Sequence, residues 1–247
     1  MNLKIRNRKM AARMRRFVMI MTALLLAAAM ASCSLGRGED KPGLADYGDE
    51  GAQFARKLAL SYPRRTPFSD QEKAAADLLM EELQKLGYTP EKQSFTIIDE
   101  DGVRKTSANI IARLDGQGFS LSQKLTDEER EGQEPEIHDL VMVIGAHYDT
   151  PFVPVDEPEE GEPAEPVLAD GIHNNASGVA AVLTAARIMR EETPGYRVVF
   201  VFFGAGMEDY QGARHYLSSL SSEERSKIDV MVNVGPVFAG DKVYAHA

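Results

Sequence analysis

The sequence predicts an α/β domain in three layers, a mixed and mainly parallel central sheet with helices on both faces. Three apolar runs point there first: Leu140–Ile144, Tyr196–Phe203 and Ile228–Val234. Such runs mark strands covered on both faces, as in sheets with parallel strands and flanking helices. Helical spacing then separates the runs, with Val179, Val182, Leu183, Ala186 and Met189 keeping one face between the first two. Finally, about 200 residues remain after an unusual N-terminal stretch, enough for one domain with a sizeable core.

That N-terminal stretch reads as a targeting segment. Lys4, Arg6, Arg8, Lys9, Arg13, Arg15 and Arg16 make a basic region without an acid, and Phe17–Ala31 is an apolar run of signal-peptide length. It is short for a membrane span. Cys33, the single cysteine, follows Met30-Ala31-Ser32 in the manner of a bacterial lipobox, so residues 1–32 are expected to be a lipoprotein-type signal and Cys33 a lipidation site. An ordinary cleaved signal beside an incidental thiol stays open. The expected location is the bacterial cell envelope, exported and held to the membrane through a lipid on Cys33. Residues 33–50, rich in Gly, Asp and Glu, are read as a flexible tether. Beyond residue 32 there are 21 basic against 38 acidic side chains, a net of −17. That excess of acid excludes nucleic acid as an expected partner, since phosphate recognition needs a basic face.

The domain is expected over 51–247. Phe54–Leu60 reads as a short helix. Ser69-Asp70-Gln71-Glu72 has the pattern of a capping box, Ala75, Leu78, Leu79, Leu83 and Leu86 keep helical spacing, and Gly87 supplies a stop. Gln93–Ile98 and Ala108–Leu114 read as strands around the Asp101-Gly102 turn. The polar residues 115–137 form an expected excursion between sheet strands. Residues 156–166, with six acids and three prolines, read as a surface loop. A helix is expected from about Tyr210 to Leu220, and Ser221-Ser222-Glu223-Glu224 offers a second capping box.

Chemistry enters at Gly145-Ala146-His147-Tyr148-Asp149-Thr150. Open α/β sheets place ligands at the carboxyl ends of their strands. His147 and Asp149, two apart on an extended chain, point the same way. Asp149 can then accept from one ring nitrogen while the other faces a metal. A polar strand end meeting solvent is the plainer alternative for so short a motif.

Several linked segments, in order, resemble the secreted bacterial di-zinc aminopeptidases of peptidase family M28: GAHYDT after a strand, NASGV opening a helix, VVFVFFGA ending a strand, GARHY beyond it, and MVNV near the end. The resemblance runs from roughly Phe54 onward. It implies a zinc-aminopeptidase fold, zinc as cofactor, and removal of N-terminal residues from peptides by a water polarised between two metal ions, with a glutamate as base. Carried over residue by residue, His147 matches a metal ligand and Asp149 the residue that orients it. The bridging aspartate falls on Asn174, the glutamate base on Gly206, the neighbouring ligand on Met207, and a further aspartate on Gly235; the family's late histidine falls beyond Ala247.

Four carboxylates are thus replaced in a site meant for a combined charge of +4. An amide is a poor bridge between dications, and a thioether suits softer metals than zinc. Ordinary two-zinc activity is therefore expected to be lost or severely reduced. Three readings stay open. The chain could be a hydrolase with substitute ligands drawn from His173, Glu208 and Asp209, with Asp170, Asp241 and His246 nearby in sequence. It could be a non-catalytic, surface-tethered binding or scaffold module. It could also be a truncated product of a peptidase gene, C-terminally incomplete.

Overall fold

A computed structural model describes residues 44–120, 137–152 and 171–238. The signal segment, Cys33 and most of the tether, the acidic loop 156–166, and Asp170, Asp241 and His246 lie outside the described residues. Among those described, no helix is long and apolar enough to cross a membrane.

The first helix, α1 (Leu44–Ser61), is longer than the sequence suggests and takes in residues 44–50, expected to belong to the tether. A Cβ at Gly51 would lie 3.0 Å from the Thr184 hydroxyl, so glycine here serves close helix approach rather than flexibility. Ala55, Leu58 and Ala59 bury one stripe of α1. Next, α2 (Asp70–Lys85) starts at Ser69, whose hydroxyl accepts from the Glu72 N–H. It ends where Gly87, at φ +83°, lets the Tyr88 N–H return to Leu83 O.

Only half of the expected capping box forms. The Glu72 side chain does not return to the Ser69 N–H, which donates to Thr66 O instead. Its carboxylate takes the Phe68 N–H and turns into the protein.

Strands β1 (Glu91–Ile98) and β2 (Arg104–Leu114) form an antiparallel hairpin. A small ribbon of β3 (Phe119–Ser120) and β4 (Ile137–His138) follows. Then come β5 (Val141–His147), α3 (Ser177–Arg190), β6 (Arg197–Phe203), α4 (Gln211–Ser219), α5 (Ser222–Ser226) and β7 (Ile228–Asn233). At α5 the full capping box of Ser221 and Glu224 is present.

The five-stranded sheet has the order β1-β2-β6-β5-β7. β5 pairs parallel with both β6 and β7, while β2 runs antiparallel to β6. Alternation along β6 builds the two faces. Val198, Phe200 and Phe202 join α1, α2 and α3 in the larger core. Val199, Val201 and Phe203 face the other way, toward Tyr216 of α4. At roughly 1.5–3 kcal/mol for each fully buried large apolar side chain, β6 is the sheet's anchor. β7 is an edge strand with Met231 and Val232 exposed. Because β5, β6 and β7 are parallel, their carboxyl ends open on one edge, next to the start of α3.

Candidate functional site

His147 closes β5, and its ring is held from both sides. Nδ1 lies 3.2 Å from Asp149 Oδ1, and Nε2 lies 3.1 Å from Asn174 Oδ1. A carboxylate only accepts, so Nδ1 carries a proton. A neutral ring then needs the Asn174 amide turned to offer its nitrogen to Nε2; the alternative is an imidazolium. In either arrangement Asn174 occupies the nitrogen that would face a metal.

Asp149 is fully buried. The Gly206 N–H donates to its Oδ1 at 2.9 Å and the Met207 N–H to its Oδ2 at 2.8 Å. With His147, three donors converge on this carboxylate. Asp149 thus bonds His147 Nδ1, and the same side chain also ties the end of β5 to the loop after β6.

Asn174 and Asn175 sit in a wide turn, Ile172–Ala176, ahead of α3, where both leave helical dihedrals. Gly171 enters it at φ +64°, and a Cβ there would collide with Thr150. Asn175 is buried, and its side chain fastens three segments: Nδ2 donates to Val234 O at 2.9 Å and lies 3.4 Å from His147 O, while Oδ1 accepts from the Gly178 N–H.

The remaining matched positions carry no ligand chemistry suited to zinc. A Cβ on Gly206 would collide with that of His147 and come within 3.0 Å of Asp149 Oδ1, so the loop has closed onto the histidine. Met207 is 42% exposed. Around Gly235 a Cβ would meet nothing within 4 Å.

The structure does not bring the substitute ligands His173, Glu208 and Asp209 together with His147. His173 and Glu208 are exposed, and Asp209 is engaged by Arg214 at 3.0 Å. Among the described residues no group of three His, Cys, Asp or Glu side chains could hold a metal ion. The turn after β6 explains this: Ala205, Asp209 and Tyr210 all adopt positive φ, and the chain leaves the cleft before α4 begins.

Sequence reasoning missed two buried charged residues. Arg65 donates from Nε to Tyr148 O at 2.7 Å and from Nη2 to Gly171 O at 3.0 Å, bracing the segment that carries Asp149. Glu72 accepts from the Ala205 N–H at 2.6 Å and the Ser107 hydroxyl at 2.9 Å. Burial, aided by the charge of Asp149 and opposed by these hydrogen bonds, pushes its carboxyl up to about 7. A polar residue at a helix's third position resembles an ordinary cap partner, and nothing in its spacing signals burial.

Residues 129–245 match Peptidase family M28. The chain carries a Peptidase family M28 domain. It is 24% identical over 199 residues to the alkaline phosphatase isozyme conversion protein of Escherichia coli strain K12, covering 80% of this chain and 53% of that protein. It is 32% identical over 107 residues to an aminopeptidase of Pseudomonas aeruginosa strain UCBPP-PA14, covering 42% of this chain and 17% of the relative. The chain thus spans about half the length of the first and less of the second. In fold it matches a zinc aminopeptidase from Bacillus subtilis, with TM-score 0.56, 15% identity, and coverage of 76% of this chain and 68% of that one.

Zinc is the metal that the M28 domain and its aminopeptidase neighbours suggest. The donors present do not fit it. A tetrahedral zinc site takes three or four protein ligands. Among the described residues the cleft offers one imidazole nitrogen, already met by a neutral amide, and no carboxylate at Asn174, Gly206, Met207 or Gly235. Asp149 is committed to three donors.

Proposed function

We propose that this M28 domain retains a zinc-peptidase fold without the ordinary two-zinc aminopeptidase activity, and serves as a non-catalytic binding module at the cell envelope, exported and tethered through a lipid on Cys33. One observation carries the loss of activity: the carboxylate still beside the cleft, Asp149, has its oxygens taken by the Gly206 and Met207 amides and by His147. Among the described residues nothing acidic replaces the family's bridge, base or remaining ligands. Without a positioned carboxylate base among the described residues, the proton acceptor they leave to a water in the cleft is His147, whose Nε2 faces Asn174. Peptide is the ligand class that the family likeness supports.

Turnover of aminoacyl anilides by the purified chain, with and without added zinc, tests this reading. The expected rate equals that of a His147→Ala variant. Chelator-sensitive turnover abolished by that substitution would overturn the proposal.

A further inference from the structure

Three consecutive backbone amides, those of Ala205, Gly206 and Met207, each donate to a buried carboxylate. Asp149 holds the last two, and Glu72 holds the first through the shortest of the three bonds, 2.6 Å. Both carboxylates have no solvent exposure. Together they fix the loop where the family places its base and one metal ligand. Glu72 is the more remote clamp. Its partners are Ala205, the Ser107 hydroxyl and the Phe68 N–H, and it makes no hydrogen bond to His147 or to Asp149.

The charges around Glu72 do not balance it. From the turn after β5, Asp149 opposes its ionisation. Tyr148 from the same turn donates its hydroxyl to Ala108 O, and burial holds that phenol well above its usual range. On α2, Lys73 and Asp77 border the same cavity as Glu72, and Lys92 borders it from β1; Lys73 pairs with Asp70, and Lys92 with Asp77. This cavity, about 350 Å³, lies between α2 and the β1–β2 hairpin. It has room for water, while Glu72 itself has no exposed surface, so water reaches its carboxyl, delivers a proton and accepts from the neutral acid only on local opening of the packing around it.

We propose that Glu72 is a proton-operated latch: ionised, it pins the Ala205 end of the loop after β6, and protonated, it loosens that loop. The bond to Ala205 is charge-assisted, and such bonds are roughly twice as strong as neutral ones. Protonation therefore weakens the grip on Ala205 while Asp149 keeps its own. A carboxyl that titrates near neutrality places this change where modest acidification reaches it.

The test follows the Ala205 amide and the Glu72 side-chain carboxyl by nuclear magnetic resonance in the full chain between about pH 5 and 8. Both signals are expected to move with one midpoint, and Ala205 hydrogen exchange, corrected for its intrinsic pH dependence, is expected to quicken on the acid side. Glu72→Gln is expected to abolish the shared transition. An Ala205 signal that does not titrate, or a transition that survives in Glu72→Gln, would overturn the latch. Should that variant not fold, Ser107→Ala removes one donor from the carboxylate and is expected to move the midpoint upward; an unmoved midpoint would equally overturn it.

Discussion

The β5 side of the cleft and the β6–β7 side have fared differently. On the β5 side, His147 and Asp149 remain, and each is bonded into its surroundings. On the other, Gly206, Met207 and Gly235 stand where carboxylates are expected, one pressed against His147, one exposed, and one with open space where a Cβ would lie. The difference separates two reasons for a polar residue to persist. Asp149 holds the fold together whether or not a metal is present, because three donors depend on it. Carboxylates whose work is to neutralise and coordinate metal leave no unsatisfied partner when they go.

The comparison breaks most severely at Asp149. Asp149→Ala strands two part-buried amides and His147 Nδ1, and at about 1–3 kcal/mol for each unmet donor the loss in urea unfolding should be about 4 kcal/mol. Met207→Ala on the opposite side should stay within about 0.5 kcal/mol. Equal effects would erase the distinction.

A smaller effect is expected from Glu72. Its folded carboxyl titrates at about 7, above its ordinary 4.5, so the native state binds the extra proton within that window. Stability should accordingly fall as pH rises from 4.5 through 7, by at most about 3 kcal/mol. Unfolding profiles of the wild type and Glu72→Gln should converge or cross over this window. Parallel profiles would show that Glu72 is not the group responsible.

Smaller still is the cost of restoring the family's base. Gly206→Glu forces a Cβ against His147 and should destabilise by about 2 kcal/mol through overpacking. It should yield no anilide turnover, because the metal positions remain empty of carboxylates. A stable, active variant would show that the β6 side lacks only one group.

Much of this architecture was legible in sequence. The apolar runs of β5, β6 and β7 mark strands because burial on both faces leaves no polar alternation, and α2 announces its ends through Ser69 and Gly87. The extent of α1 was hidden because the Gly, Asp and Glu content of residues 33–50 suggests flexibility when read locally, while the approach of Gly51 to Thr184 of α3 is a long-range fact. Likewise Glu72 satisfies a local capping pattern, but the Ala205 amide, more than a hundred residues away, captures its carboxylate. At the site, His147, Asp149, Asn174, Gly206, Met207 and Gly235 were found by matching segments. What matching could not supply was the closure of the Gly206 loop onto His147 and the commitment of Asp149 to backbone donors, which depend on how β5 and β6 end side by side.

Zinc content of the purified chain after equilibration with excess zinc and removal of loosely held metal tests the central claim most directly. The account predicts well under one equivalent per chain, unchanged in Met207→Ala. Two equivalents, lost on His147→Ala, would contradict it.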